Sequence, residues 1–328
     1  MLKAEILAKL KNTKMLDDVE LTEFVPTGSY ALNKIISGRY NGGIPRGAIT
    51  QIRGESSTGK TLFVTSIFRE AQKLGYICKL LDAENAFNKE FAVKVGLDPS
   101  NLLYSCPEYL EEAFDDVENT VAAIRESDKK TPIVIAIDSL PVLPIKKEMD
   151  KENYESTEME GAQRAKIIGS CLRKLNPLLR ANDVTLVVIN QIRSKVGVIY
   201  GSPETNAAGG KSLEFYLAVD LKTVSNKTSD VIKDENDTPT GIRGRVDCKK
   251  NKCSIPFQNC HFMVVFDSGL DPYEGLIDLM AADKTIIKAP NGRCQIGETK
   301  FTSKEFINLI NDKNNRDFDI IRQKLNIN

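Results

Sequence analysis

One short run constrains this chain more than any other: Gly54-Glu55-Ser56-Ser57-Thr58-Gly59-Lys60-Thr61. It fits the pattern G-x-x-x-x-G-K-[ST]. It also follows an apolar strand (Ala48–Arg53) and opens a helical pattern, which is the context that gives the match meaning. A chance match in a Gly/Ser-rich turn would not explain those flanks. Glycines let the backbone wrap an anion while successive N–H groups point inward. The helix N-terminus adds a favourable dipole. Lys60 is then placed to neutralise terminal phosphates, and the Thr61 hydroxyl to ligate Mg²⁺.

Around this loop, residues 30–270 alternate apolar strands with helical patterns, which indicates βαβ units and a mainly parallel central sheet, an α/β fold. Candidate core strands are Ala48–Arg53, Tyr76–Asp82, Ile133–Asp138 and Val184–Asn190. The last two are nearly continuous apolar runs, as strands covered on both faces should be. Phe63, Val64, Ile67, Phe68, Ala71 and Leu74 recur at helical spacing, and Gly75 ends that helix. A second helix spans about Glu160–Arg180. Further strands read over 215–224, 242–250 and 260–266. Two stretches resist assignment: the charged Lys146–Glu160 and the Gly/Ser/Asn-rich Ile192–Lys211. Long structureless loops inside compact domains are usually functional or disordered. Three regions follow: an N-terminal helical segment (1–25), a core (26–270) and a small α+β C-terminal domain (271–328). In the first, Leu2, Ile6, Leu7 and Leu10 share one face, suited to packing on its own domain or on a neighbouring subunit.

Other strand ends supply more chemistry. Residues 131–139 are an apolar strand ending in Asp138, and carboxyl strand ends face the ligand crevice of an open parallel sheet. Asp138 is therefore expected beside the metal. Leu80-Leu81-Asp82-Ala83-Glu84 ends another strand on the same side. Glu84 is the candidate general base; the alternatives are a surface carboxylate or a cap for the next helix. A third end carries Asn190-Gln191, whose amide is suited to sense a terminal phosphate. Because it leads straight into Ile192–Lys211, contact there could order that loop; the alternative is an ordinary mobile loop.

Bulk properties narrow the rest. Lys plus Arg equals Asp plus Glu at 45 each, so bulk charge gives no reason to expect nucleic-acid binding, and any such contact must be local. No run of about 18 apolar residues indicates a membrane span. The opening MLKAEILAKLKNTK lacks a secretory pattern. The seven cysteines are scattered, which fits a reduced cytoplasmic setting. Cys248, Cys253, Cys260 and His261 raise a zinc site, but their spacing favours buried structural cysteines.

Several segments together resemble a known family. Asn190 to Thr205, continuing through Gly209-Gly210-Lys211-Ser212-Leu213-Glu214-Phe215-Tyr216, resembles the second DNA-binding loop of RecA-type homologous recombinases. Asp82-Ala83-Glu84-Asn85-Ala86, Lys250-Asn251-Lys252 with Pro256-Phe257, and Gly42-Gly43-Ile44-Pro45-Arg46-Gly47 are similar to other segments of that family. The resemblance covers about residues 26–300. It implies a RecA-like P-loop ATPase core that binds ATP and Mg²⁺ between subunits of a helical filament on single-stranded DNA. It further implies homologous pairing with duplex DNA and strand exchange, in recombination, DNA repair and recombination-dependent replication. Single-strand-binding and mediator proteins are the further partners it suggests. By the same resemblance, Glu84 matches the catalytic glutamate and Gln191 the γ-phosphate sensor. Lys250 and Lys252 match lysines that reach a neighbour's ATP, and Asn88 and Phe91 fall near positions that contact adenine. Arg193, Lys195 and Lys211 would meet DNA phosphates. Ile199 and Tyr200 would wedge between bases, with Val198, Gly209 and Gly210 beside them. Arg164 is the residue carried over from the first DNA loop.

Departures are visible too. The chain is shorter than typical bacterial members and ends in Gln-Lys-Leu-Asn-Ile-Asn without an acidic tail, so a regulatory tail is not expected. Its loop lacks the Pro that often follows the first Gly. The compact layout is similar to phage recombinases of the UvsX kind. A hexameric helicase would share the phosphate loop but not the 190–216 segment. A non-enzymatic mediator would not need Glu84, Gln191, Lys250 and Lys252 together.

Overall fold

The computed structural model describes residues 23–149, 158–194, 204–206, 210–225 and 230–327. The chain begins with β1 (Phe24–Val25), α1 (Tyr30–Ser37), β2 (Ile44–Pro45), β3 (Ile49–Gly54), α2 (Lys60–Lys73), β4 (Ile77–Asp82) and α3 (Lys89–Lys94). Next come β5 (Leu102–Ser105), α4 (Leu110–Ser127), β6 (Ile133–Asp138), α5 (Lys146–Met149), α6 (Glu158–Ala181), β7 (Val184–Ser194), β8 (Glu204–Asn206), α7 (Gly210–Tyr216) and β9 (Leu217–Val224). The last part holds β10 (Val231–Lys233), β11 (Pro239–Asn251), β12 (Asn259–Val265), β13 (Gly269–Leu270), α8 (Leu276–Ala282), β14 (Ile287–Lys288), β15 (Cys294–Ile296), β16 (Thr299–Phe301), α9 (Phe306–Asn311) and α10 (Asp319–Leu325).

One large sheet organises all of this. Strands β5, β4, β6, β7, β3 and β9 lie side by side and run parallel. Beyond β9 the sheet turns antiparallel through β11, β12 and β13. The near-continuous apolar runs have the cause expected of them: successive side chains point to opposite faces, and both faces are covered. In β6, Val134 and Ala136 enter one core with α1 and α2, while Ile133, Ile135 and Ile137 enter the other with α4 and α6. In β7, Val187 and Ile189 go one way and Val184, Leu186 and Val188 the other.

Local signals explain the helices. For α1, the Ser29 hydroxyl accepts the Leu32 N–H at 3.3 Å, and Gly38 ends the helix at φ +76°. In α2, Phe63, Val64, Ile67, Phe68 and Ala71 are buried, and Phe63 meets Phe262 edge-on at 4.9 Å. Leu74 was expected on that stripe and is instead 50% exposed. The helix stops at Lys73, and Leu74 is its cap, its N–H turned to the Ala71 and Gln72 carbonyls.

The stretch expected to lack structure is partly built. β7 runs past Asn190 to Ser194 and pairs antiparallel with β8, Ile192 opposite Asn206 and Ser194 opposite Glu204. Residues 210–216 form α7, so the strand expected from 215 begins at Leu217. Strand β5 and helix α4 had not been read from the sequence at all. The N-terminal segment 1–18, residues 150–157, and Lys195, Val198, Ile199, Tyr200 and Gly209 lie outside the described residues.

The C-terminal elements surround their own apolar cluster. Phe301, Phe306 and Phe318 pack ring against ring at 5.2 to 5.9 Å. Tyr40, from the loop after α1, joins them and donates to Asp283 at 2.9 Å. Buried Arg322 is satisfied by the Ile310, Asp312 and Asn315 carbonyls and by Asp319. Cys248 and Cys260 are buried, whereas His261 points to the exposed face of β12. Among the described residues, no helix is long and apolar enough to cross a membrane.

Candidate functional site

The carboxyl ends of β3, β4, β6 and β7 open onto a cleft of about 510 Å³. Ser56, Ser57, Gly59, Lys60, Thr61, Glu84, Asp138 and Gln191 all line it. Residues more than 130 positions apart in sequence thus meet because parallel strands end together. The register shows how: Gly54 lies opposite Gln191, and Asp82 opposite Asp138.

The 54–61 loop is knitted to its neighbours. Gly54 is required by close approach, since a Cβ there would fall 2.1 Å from Thr223 Oγ1. Gly59 caps α2 at φ +83°, a left-handed conformation that favours glycine. Thr58 Oγ1 donates to the Glu55 carbonyl at 2.9 Å and lies 2.8 Å from Thr223 Oγ1. The Lys60 ammonium donates to the Gly54 and Glu55 carbonyls at 3.2 and 2.6 Å, held inside the loop and facing the cleft.

Acidic groups crowd the other wall. Thr61 Oγ1 donates to Asp138 Oδ2 at 2.6 Å. Burial pushes the Asp138 carboxyl up to about 6; Glu84 and Asp82 add to the rise, while the Thr61 bond and Lys60 oppose it. A hydroxyl and a carboxylate side by side on the cleft form a hard oxygen donor pair, and this set fits Mg²⁺, which commonly takes one or two protein ligands plus substrate phosphates. Glu84 does not cap the next helix, because Asn88 does so by accepting the Phe91 N–H at 2.9 Å. Instead Glu84 Oε1 accepts the Ser139 hydroxyl at 2.8 Å.

Behind the cleft a polar chain crosses three strands. Asn190 donates to Gln51 at 3.0 Å, Gln51 to Asp220 at 2.9 Å, and Arg53 pairs with Asp220 at 2.9 Å. Asn190 and Gln51 are wholly buried, so these bonds offset the cost of placing amides in a core.

Other expected residues lie elsewhere. Asn88 and Phe91 sit at the start of α3 and do not line the cleft. Lys250 and Lys252 are at the far end of β11. Ile242 of the same strand lines the cleft, and Lys250 lies eight positions further along it, roughly 25 Å away. Lys250 bonds to the Glu214 carbonyl. The Arg164 guanidinium donates to Pro141 O at 3.2 Å. Gly210 is exposed at φ +45°. Arg193 and Lys211 are placed by their backbone, in β7 and α7.

Several cleft residues had no signal in the sequence. Ile189, Val231, Ile242 and Phe266 form its apolar side with the polar Ser225 beside them, and Thr223 and Ser139 hold its loop and its glutamate. Ser139 was the readable one, being next to Asp138; the others depend on strand pairings far apart in the chain.

Comparison with known proteins agrees with this geometry. The model of the RecA N-terminal domain matches residues 5–271. The chain is 34% identical to Protein RecA of Aquifex pyrophilus over 90% of its own length and 80% of that protein. It is 36% identical to Protein RecA of Thermus aquaticus, over 87% of this chain and 80% of that one. Protein RecA of Nautilia profundicola is also 36% identical, over 88% and 79%.

Proposed function

The chain belongs to the RecA family of recombinases, and from that premise we propose that it is a DNA-dependent ATPase that forms helical filaments on single-stranded DNA and exchanges strands with homologous duplex. The observation that carries the reading is the convergence of Lys60, Thr61, Glu84, Asp138 and Gln191 on one cleft.

On this reading, loop N–H groups and Lys60 bind the phosphates of ATP, and Thr61 and Asp138 hold Mg²⁺. The ion, when bound, offsets phosphate charge. Glu84, oriented by Ser139, takes a proton from the water that attacks the γ-phosphorus. The bond to the bridging oxygen breaks, and ADP and phosphate leave. Gln191 donates its amide to the γ-phosphate and loses that contact on release. Since β7 continues from Gln191 into the ribbon with β8, the loss is felt where residues 195–203 begin.

The basic pair Lys250 and Lys252 supports head-to-tail assembly. Cleft and lysines lie at opposite ends of one sheet, so a translated and rotated second copy brings its lysines to this chain's ATP. A heterologous contact of that kind propagates into a filament unless its rotation closes a ring. Arg164, Arg193, Lys195, Lys211, Ile199 and Tyr200 are the proposed DNA contacts, with Val198, Gly209 and Gly210 in the same loop, and Asn88 and Phe91 the proposed adenine neighbours. Loading by single-strand-binding and mediator proteins and action in the bacterial cytoplasm, or the host's for a phage-encoded copy, complete the proposal.

Oligonucleotide strand exchange tests it. A labelled duplex meets protein-coated single strands, homologous or scrambled, with ATP and Mg²⁺. Product from the homologous strand alone is expected. Release by both would instead indicate a helicase, and release by neither, with DNA binding intact, would overturn the exchange activity.

A further inference from the structure

We propose that Tyr104 is a positioning residue for hydrolysis, its hydroxyl holding the 83–87 turn that presents Glu84 to the cleft. This rests on the reading of Glu84 as the group that polarises water.

The turn is gathered by one carboxylate. Asp82 is 4% exposed and accepts four bonds: the Glu84 N–H on Oδ1 at 3.2 Å, and on Oδ2 the Ala86 N–H at 2.9 Å, the Phe87 N–H at 2.8 Å and the Tyr104 hydroxyl at 2.9 Å. Three of the four are backbone bonds inside the turn. Of these four, the last reaches another element, the edge strand β5; the same hydroxyl lies 3.4 Å from Asn85 Oδ1, to which the Cys106 thiol also donates at 3.6 Å. A second inner tie is the Ala83 N–H on the Asp138 carbonyl at 2.7 Å. The turn is therefore fastened to β6 on one side and to Tyr104 on the other. Asn85 within it adopts φ +50°, a left-handed conformation that asparagine tolerates better than most side chains, so the turn can close tightly at this position.

Packing alone does not explain a tyrosine here. Tyr104 is 47% exposed and meets Phe87 only at a tilted 6.4 Å, so little core depends on its ring. Its hydroxyl is the atom in use. Burial, then bonding to Cys106 and Asp82, pushes its pKa up, so it keeps its proton and remains a donor. Asp82 also faces Asp138 across the β4–β6 pairing, so slack at Asp82 is transmitted to the geometry between Glu84 and the cleft's acidic wall.

The test compares the full chain with Tyr104→Phe, which keeps the ring and removes only the donor. Single-stranded-DNA-stimulated ATP turnover, affinity for a fluorescent ADP and thermal melting are measured together. We expect kcat to fall about fivefold, the factor that one hydrogen bond of ordinary net strength represents. ADP affinity should stay as it is, and Tm should fall by no more than about 2–4 °C, the shift that one such bond represents. In a Glu84→Gln background, Tyr104→Phe should have no further effect on residual turnover. Unchanged kcat in Tyr104→Phe, with Glu84→Gln impaired, would overturn the inference and leave the function standing. A fall of ADP affinity in parallel with kcat, with Tm lowered well beyond the shift of one bond, would mark a merely structural tyrosine and overturn it as well. Full turnover in Glu84→Gln would remove the reading of Glu84 itself, and is visible without any Tyr104 variant.

Discussion

The two ends of the central sheet handle charge in opposite ways. At the amino ends of the strands, Arg46 is paired with Glu23 and Asp183, lies over the Tyr76 ring at 5.5 Å and bonds to its hydroxyl. Each charge of that cluster has a partner. At the carboxyl ends, Asp82, Glu84 and Asp138 crowd together, and Lys60 is the cation beside them that acts on Asp138. One end stabilises the fold; the other holds an electrostatic conflict that a cation and a phosphate chain would resolve. Strain kept at a binding cleft and balanced elsewhere is a common way for a stable scaffold to carry a reactive site.

The sharpest way to break this contrast is at Lys60. Lys60→Ala should lower ATP turnover by at least about a hundredfold, since the loop loses its charge for the phosphates, while melting changes little. Steady-state hydrolysis with and without single-stranded DNA checks it. Next comes Glu84→Ala, with turnover down about a hundredfold and binding of ATP and DNA retained. Equal loss of all three would remove Glu84 from the chemistry.

Smaller effects separate the two ends more finely. Arg46→Ala should destabilise by about 1–2 kcal/mol, because it leaves the part-buried Asp183 without its partner while the exposed Glu23 adds little, yet turnover per folded molecule should persist. Asp138→Asn should do the reverse, raising stability of the nucleotide-free chain by about 1–2 kcal/mol while lowering Mg²⁺-dependent turnover. Chemical denaturation paired with an ATPase assay distinguishes them. The same carboxyl gives the smallest effect, a pH dependence. A carboxyl whose pKa rises on folding binds protons more tightly in the folded state. Its contribution is therefore fully present below its ordinary 3.8 and is lost as the pH rises through about 6. Asp138→Asn should flatten that slope, measured by denaturation between those limits without Mg²⁺.

What the sequence made legible follows from distance along the chain. The 54–61 loop, Asp138, Glu84 and Gln191 each sit at the end of an apolar strand, so strand and side chain are read together. Thr223 and Asp220 reach the site through the pairing of β9 with β3, and Phe266 through that of β12 with β11, and no local pattern encodes those registers. Tyr104 lies on a short edge strand whose Leu103 and Tyr104 are both about half exposed, so β5 has no alternation to detect. Helix α4 is different: Leu110, Ala113, Phe114, Val117 and Val121 do fall at helical spacing and are buried, so its signal was present. The segment after Gln191 looked structureless because its composition is that of a loop. Pairing of β7 with β8 orders its ends by backbone bonds, which composition does not reveal.

The alternation along β6 and β7 bears on how such a chain can change length. Ala136 and Val134 face one core and three isoleucines the other, so deleting one residue would exchange them and force large side chains into the space made for small ones. Every later residue of the strand would be displaced with it, and Asp138 would leave the cleft. Heritable insertions and deletions should therefore be purged from these strands and gather in the connections between elements. A scan of single-codon deletions would draw the sheet as a set of intolerant blocks, six residues long at β3, β4 and β6.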